Sequence, residues 1–284
     1  MIEGAIYVPF QFVMESLGAK YSWNSRRELA TATLLRPAGS MFKAQKGKIT
    51  IRSIVKQDDE WYHSDQASQV VQGILANQND DGGWFKLGSS DDLSAVIDRD
   101  LFPNYRQKST IDNDSTTVQM DTLARVYSIK QDAEIKESLL KGIKYLIDGQ
   151  YENGGWPQFF PQTVGYHQRI TFNDNAVSNV LELLQKVADK SGDYSFVSDD
   201  LAAQASAAVD RGLRLILDTQ IVANGAKTAW CAQYDEETLE CARGRSYELA
   251  AISGDESVNI IRFLMSYDEP HRRLLIRSIV RLRS

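Results

Sequence analysis

The 284 residues include only two cysteines, Cys231 and Cys241, and three histidines, His63, His167 and His271. Two cysteines cannot build a disulfide framework, and so few histidines argue against a Cys/His zinc centre. No apolar run approaches the roughly 18 residues that a membrane-crossing helix needs. The opening Met1-Ile-Glu-Gly has neither the basic nor the apolar stretch of a secretory leader, so no signal peptide is expected. Basic charge is scarce outside one place. The net charge is −6, and residues 271–284 hold five arginines and no acid, which leaves −11 on the other 270 residues. An acidic body argues against nucleic acid as the main partner. An anionic ligand would need a cation or a local basic cluster as its bridge.

Four stretches differ in character. Residues 1–35 alternate: IYVPF reads as a strand, QFVMESLG as a short helix closed by Gly18, AKYSWN as a strand, Asn24-Ser25 as a turn and ELATATLL as a strand. Residues 36–57 are basic and aperiodic, a connector with one short strand, ITIRSIV. From about residue 60 the pattern becomes helical and repeats three times. In each unit an apolar triplet at i, i+3, i+4 precedes a glutamine: Val71, Ile74, Leu75 and Gln78; Ile143, Leu146, Ile147 and Gln150; Leu213, Ile216, Leu217 and Gln220. The first two units continue into Asp81-Gly-Gly-Trp84 and Asn153-Gly-Gly-Trp156, and the third into a looser loop ending at Trp230. A second helix follows each time: STTVQMDTLARVYSI, then NAVSNVLELLQKVA, then SVNIIRFLM with Val258, Ile261 and Leu264 as its apolar face. Three helix pairs predict an all-α toroid with a small α+β N-terminal segment. After residue 269 the composition turns to arginine and aliphatics. Residues 270–284 read either as a basic amphipathic tail or as a point where the chain is cut or shifted in frame.

In a helical toroid, chemistry belongs in the loops at one rim. The loop Thr110-Ile-Asp112-Asn113-Asp114-Ser115 and its counterpart Thr171-Phe-Asn173-Asp174-Asn175 both stand just before a second helix. Hard oxygens from two such loops suit Ca²⁺, while Asp or Asn there could equally cap the helix N-terminus. The third loop carries Arg243-Gly244-Arg245 where the other units place acids, suited to a carboxylate ligand or to a simple pair with Glu248. The three tryptophans read first as plugs of the helix turns. Trp156, in the aromatic stretch WPQFF, also offers a sugar-stacking face, and His167 lies beside the second acidic loop. The two cysteines are either free thiols or one bridge.

These residues carry a resemblance. TIDND-ST, NGGWPQFFPQ, YHQRITFNDNA, TAWCAQYDEETLE and ARGRSYELAAISGDES resemble, in order from about residue 58 to 269, the family 10 polysaccharide lyases, which are pectate lyases. The resemblance implies an (α/α)₃ toroid, Ca²⁺ and β-elimination of polygalacturonate by a secreted monomer. By motif it implies Asp112 and Asp174 at the calcium, with Asp114 as a further ligand or a cap. It implies Arg245 as the catalytic base. Asn113 matches a substrate-contacting position, and Arg243, His167 and Trp156 are the other candidate substrate contacts. An arginine base is protonated at neutral pH, so an alkaline optimum is expected. Residues 5–35 resemble part of a copper amine oxidase-like N-terminal module, without a ligand set for copper. Two other readings compete: a truncated pectin-binding remnant without turnover, and an isoprenoid cyclase, which would need acidic clusters facing an aromatic cavity.

Overall fold

A computed structural model of the protein describes residues 19–24, 29–34, 47–88, 90–98, 107–161 and 164–266. The chain divides into two units, Met1–Lys46 and Gly47–Ser284. In the first, β1 (Ala19–Asn24) pairs antiparallel with β2 (Leu29–Leu34), Ala19 opposite Leu34 and Asn24 opposite Leu29. These are the two strands expected around the Asn24-Ser25 turn. The expected strand IYVPF, the helix QFVMESLG, most of the connector and the arginine-rich tail lie outside the described residues.

The second unit is mainly helical. Its first element corrects an expectation: ITIRSIV contains a one-turn helix, α1 (Ile51–Ile54), and no strand. Thr50 and Ser53 form a reciprocal capping box there, and Ile51 and Ile54 are buried. A cap and two buried side chains outweigh the β-propensity of isoleucine. Three helix pairs follow: α2 (Asp65–Ala76) with α3 (Thr117–Lys130), α4 (Ala133–Asp148) with α5 (Ala176–Ala188), and α6 (Asp199–Asp218) with α7 (Gly254–Ser266). The second helices α3, α5 and α7 run side by side, and α4 packs on α6 behind them.

The three units repeat in atomic detail. Each tryptophan is buried and donates its indole N–H to the carbonyl of the triplet's middle residue: Trp84 to Ile74, Trp156 to Leu146, Trp230 to Ile216, at 2.6–2.7 Å. Gln78 bonds Gly82 O in its own loop and Ser138 O in α4, while Gln150 bonds Gly154 O and Ala208 O in α6. Each loop is thereby stapled to the next unit's first helix. Gly82 and Gly154 make the approach possible. Their φ values are 94° and 95°, and a Cβ there would lie 2.3 Å from Lys141 O and 2.2 Å from Arg211 O. The third unit departs from the pattern. Its loop is a hairpin, β4 (Val222–Ala223) with β5 (Ala226–Lys227), turned at Asn224-Gly225 with positive φ at both residues. Its glutamine, Gln220, bonds Thr228 O within that loop. Its last helix begins three residues earlier than the periodicity indicates and buries Ile260 and Phe263, with Ile261 exposed. The expected face was one position out of register.

Short bridges tie the loops together: Thr110 to Phe159, Pro157 to Ile170, and β3 (Ile170–Thr171) to β7 (Gln233–Tyr234). A further pair joins β6 (Trp230–Cys231) to β8 (Ile252–Ser253). Both acidic loops and the arginine loop therefore leave one connected end of the helices.

Candidate active site

The first helix of every pair is capped by a side chain: Ser64, Asp132 and Ser198 accept from backbone N–H groups of α2, α4 and α6. The second helices α3 and α5 have no such cap, although acids and amides crowd their N-termini. Capping is therefore not what the two acidic loops do. Each is a tight turn with two consecutive left-handed residues, Asn113 and Asp114 at φ 51° and 61°, Asp174 and Asn175 at φ 53° and 60°. Asn and Asp are the side chains that tolerate this region best, at about 1–2 kcal/mol each. The matching dihedrals align Asp112 with Asn173 and Asn113 with Asp174. In the third unit, Trp230 N–H meets Ser257 Oγ as Trp84 N–H meets Thr116 Oγ1. The position of the acidic turns is thus taken there by Ser253-Gly254-Asp255, and the arginines sit further back. This corrects the expectation that Arg243 and Arg245 replace the acids.

Asp112 is almost wholly buried. Its backbone N–H donates to Thr110 Oγ1 at 3.1 Å, and Thr110 Oγ1 donates to Gln158 O at 2.5 Å. Its Oδ2 contacts the Lys86 ammonium, while its Oδ1 is buried with no hydrogen-bond partner. Asp174 stands at the solvent edge, its N–H bonded to Glu256 Oε1 at 3.0 Å and its carboxylate to Asn173. Desolvation, and then the Asp112 charge, push the Asp174 carboxyl above the ordinary aspartate value. Asn113, Asp114, Asp174 and Asn175 line a recess of about 170 Å³ closed by Arg52 and Leu87. Asp114 accepts from Asn179 Nδ2 at 2.8 Å, tying its turn to α5. Among the described residues no three Asp, Glu, His or Cys side chains stand as a ready cation cage.

Trp156 is 1% exposed, packed beneath this end and bonded to Leu146 O. Its burial excludes sugar stacking and corrects that expectation in favour of the turn plug. His167 is half-buried, its ring 4.0 Å from that of Tyr166 and 4.9 Å from that of Phe159. Burial lowers its pKa, the Asp112 charge opposes that, and Lys86 and Lys108 add to it.

The arginine loop lies on the other side of β3 and β7. Gln233 joins the two sides, paired with Thr171 in the ladder and taking Ala242 N–H on its carbonyl. Arg245 is exposed and lies against Glu248, with Nε–Oε1 2.9 Å and Nη2–Oε1 2.5 Å, while Tyr247 stacks 5.2 Å from its guanidinium. The Glu248 hydrogen bond raises the Arg245 pKa further above its ordinary value and lowers that of Glu248. Arg243, Arg245, Arg169, Tyr166 and Tyr247 line an open cleft of about 460 Å³. Arg169 is paired with Asp235 and Glu236. Cys231 and Cys241 form a disulfide at the base of this loop, which resolves the cysteine alternatives.

A buried, half-satisfied carboxylate beside a second one offers hard oxygens to a cation, and the arginine-lined cleft on the same end of the helices offers guanidinium groups to carboxylates. Family comparison agrees: residues 78–280 match the model described as pectic acid lyase. The chain belongs to the pectic acid lyase family. The match starts after the expected boundary at 58 and ends inside the segment read as an atypical tail. Two solved structures of a family 10 polysaccharide lyase from Cellvibrio cellulosa are similar, one a mutant in complex with trigalacturonic acid. Each is 31% identical, with TM-score 0.62, over 72% of this chain and 64% of that one. The chain thus spans just under two thirds of those proteins. A search of curated proteins returned no match. None of these comparisons supports the likeness of residues 5–35 to the copper amine oxidase-like module. Sequence reasoning missed two basic residues that the fold brings to these loops. Lys86 stands two residues after Gly-Gly-Trp84, and Arg169 lies inside the motif YHQRITF. The basic residue in each motif was the available signal.

Proposed function

We propose that this chain is a pectate lyase that cleaves polygalacturonate by β-elimination. The observation that carries the reading is the unpartnered, buried Oδ1 of Asp112, a carboxylate whose charge acts on a second one, Asp174. Against the two carboxylates stands the single ammonium of Lys86 on Asp112, and a polyuronate would bring more negative charge to them. Asp112 and Asp174 fit a hard divalent cation such as Ca²⁺, with Asn113 beside them. Two protein carboxylates leave most of its six to eight positions to water and substrate oxygens. When bound, the cation supplies Lewis-acid polarisation of the uronate carboxylate and so acidifies the proton at C5.

The chain's own residues do the rest. The arginine cleft holds neighbouring uronate carboxylates, with Arg243 as a bidentate donor. Arg245, in its neutral form, takes the C5 proton. The C5–H electron pair becomes the C4=C5 double bond, and the C4–O bond breaks with its pair leaving on oxygen, which is then protonated. Before this, the guanidinium must leave Glu248, which holds its proton in place. Activity should therefore rise into the alkaline range. His167, kept neutral by burial, contacts substrate by hydrogen bonding.

The stapling of Gln78 and Gln150 to the next unit supports three helix pairs wound in one sense, as in an (α/α)₃ toroid. The disulfide suits an oxidising, extracellular compartment. The reading is tested by absorbance of the unsaturated product from polygalacturonate, with calcium or with a chelator, at mildly alkaline pH. A chelator-sensitive rise, lowered about 10³-fold in Arg245→Ala, is expected. Binding without any rise would favour the remnant reading.

A further inference from the structure

Among the described residues Lys86 is the cation in contact with Asp112, and nothing in the β-elimination scheme uses it. Its place follows from the fold. Gly83 and Trp84 are buried, Phe85 bridges to Ser109, and Lys86 is thereby delivered to the carboxylate two residues beyond the tryptophan. One third of the Lys86 side chain is exposed, against 2% for Asp112. The ammonium therefore approaches a buried carboxylate from the solvent side, the side from which any soluble cation must come. Its field also reaches Asp174 and His167, so it stands within the site and not beside it. Lysine is a compact charge on a flexible four-carbon stem, able to leave a carboxylate without disturbing the backbone. At the other end of the chemistry, a uronate carboxylate entering the site needs a positive partner of its own.

We propose that Lys86 is a positioning residue that serves as the exchangeable counter-ion of Asp112. It holds the carboxylate in place while no divalent cation is bound, yields it to the cation, and turns to the substrate carboxylate. This rests on the reading of Asp112 as a cation ligand. Linkage makes the effect reciprocal: whatever Lys86 gains from Asp112 is subtracted from the cation's affinity.

The test uses the full chain and two readouts other than turnover. Pulse methylation of lysines, read by mass spectrometry, should label Lys86 about fivefold faster in calcium chloride than in chelator. Calorimetry should show calcium binding about tenfold tighter in Lys86→Met, with the weaker binding restored in Lys86→Arg. In saturating calcium, the Met variant should bind trigalacturonic acid about tenfold more weakly. Unchanged labelling, or equal calcium affinity in wild type and Lys86→Met, overturns the proposal while leaving the cation reading intact. Absence of calcium binding in both proteins overturns both. If Lys86→Met does not fold, the labelling of the wild-type chain decides alone.

Discussion

The acidic turns and the arginine loop sit on one end of the same helices, yet they are built oppositely. Asp112 is buried, reached through a chain of backbone and threonine hydrogen bonds, and followed by left-handed residues that repeat at Asp174 and Asn175. Arg245 is exposed, and its partners Glu248 and Tyr247 come from its own loop. Strain and burial make the acidic side hold its shape, as groups proposed to meet a cation would. The arginine side is held by contacts that water can replace, which under the proposed function leaves it adjustable around a polymer. Under that function, preorganisation stands where the cation would bind and adjustability where the polymer would vary in position.

Four experiments would break or sharpen this contrast. The largest effect is expected for Trp156→Ala, which removes the plug under the acidic side and should cost about 3–5 kcal/mol in urea unfolding. A variant of full stability that lost only oligogalacturonate affinity would return Trp156 to a sugar-stacking role. Next comes joint replacement of Cys231 and Cys241 by serine. Releasing this short loop should cost about 2–3 kcal/mol and weaken trigalacturonic acid binding, while calcium affinity measured by calorimetry stays put. Loss of calcium affinity as well would mean that the two sides are one rigid body.

Glu248→Gln should change stability by less than about 0.5 kcal/mol, because the pair is exposed. Its signature is kinetic. Without the carboxylate that holds its proton, Arg245 should lose that proton at lower pH, and the alkaline rise of the pH–rate profile should move down. An unmoved profile would separate Arg245 from the proton transfer. The smallest effect is expected for Asp174→Asn. The Asp174 carboxyl titrates above its unfolded value, so its contribution to stability is complete in acid and is lost as pH rises through the folded value. The asparagine variant should therefore melt about 1 °C higher than wild type at pH 7 in chelator, the effect being small because Asp174 reaches solvent. The difference should vanish below the ordinary aspartate value of 3.8, and should reverse in calcium.

Much of the fold was legible because its signals are local. The triplet, glutamine and Gly-Gly-Trp order marks a helix, its end and the turn after it, and the three indole–carbonyl bonds are the physical content of that repeat. The hairpin of β1 and β2 was readable from alternation and a turn dipeptide. Errors came where a neighbour decides. ITIRSIV has strand residues, but a cap and two buried isoleucines make it a turn of helix. In α7 the periodicity of SVNIIRFLM allows two faces one residue apart, and contact with α5 and β6 selects Ile260 over Ile261.

The candidate site divides the same way. The clusters of Asp, Asn and Arg are readable in the chain, since residue type and spacing before a helix state the available chemistry. Nothing in the order of residues states that Lys86 lies on Asp112, that Trp156 is beneath the surface, or that the Cys231–Cys241 bridge forms. Those facts depend on burial and on distances between segments far apart in the chain. The sequence by itself determined the three helix pairs, the turn chemistry that lets Asn and Asp hold left-handed backbone, and the family. Tertiary structure decided which carboxylate loses its water, which cation compensates it and which arginine stays free to move. Desolvation and pairing are properties of surroundings, and surroundings exist only once the chain has folded.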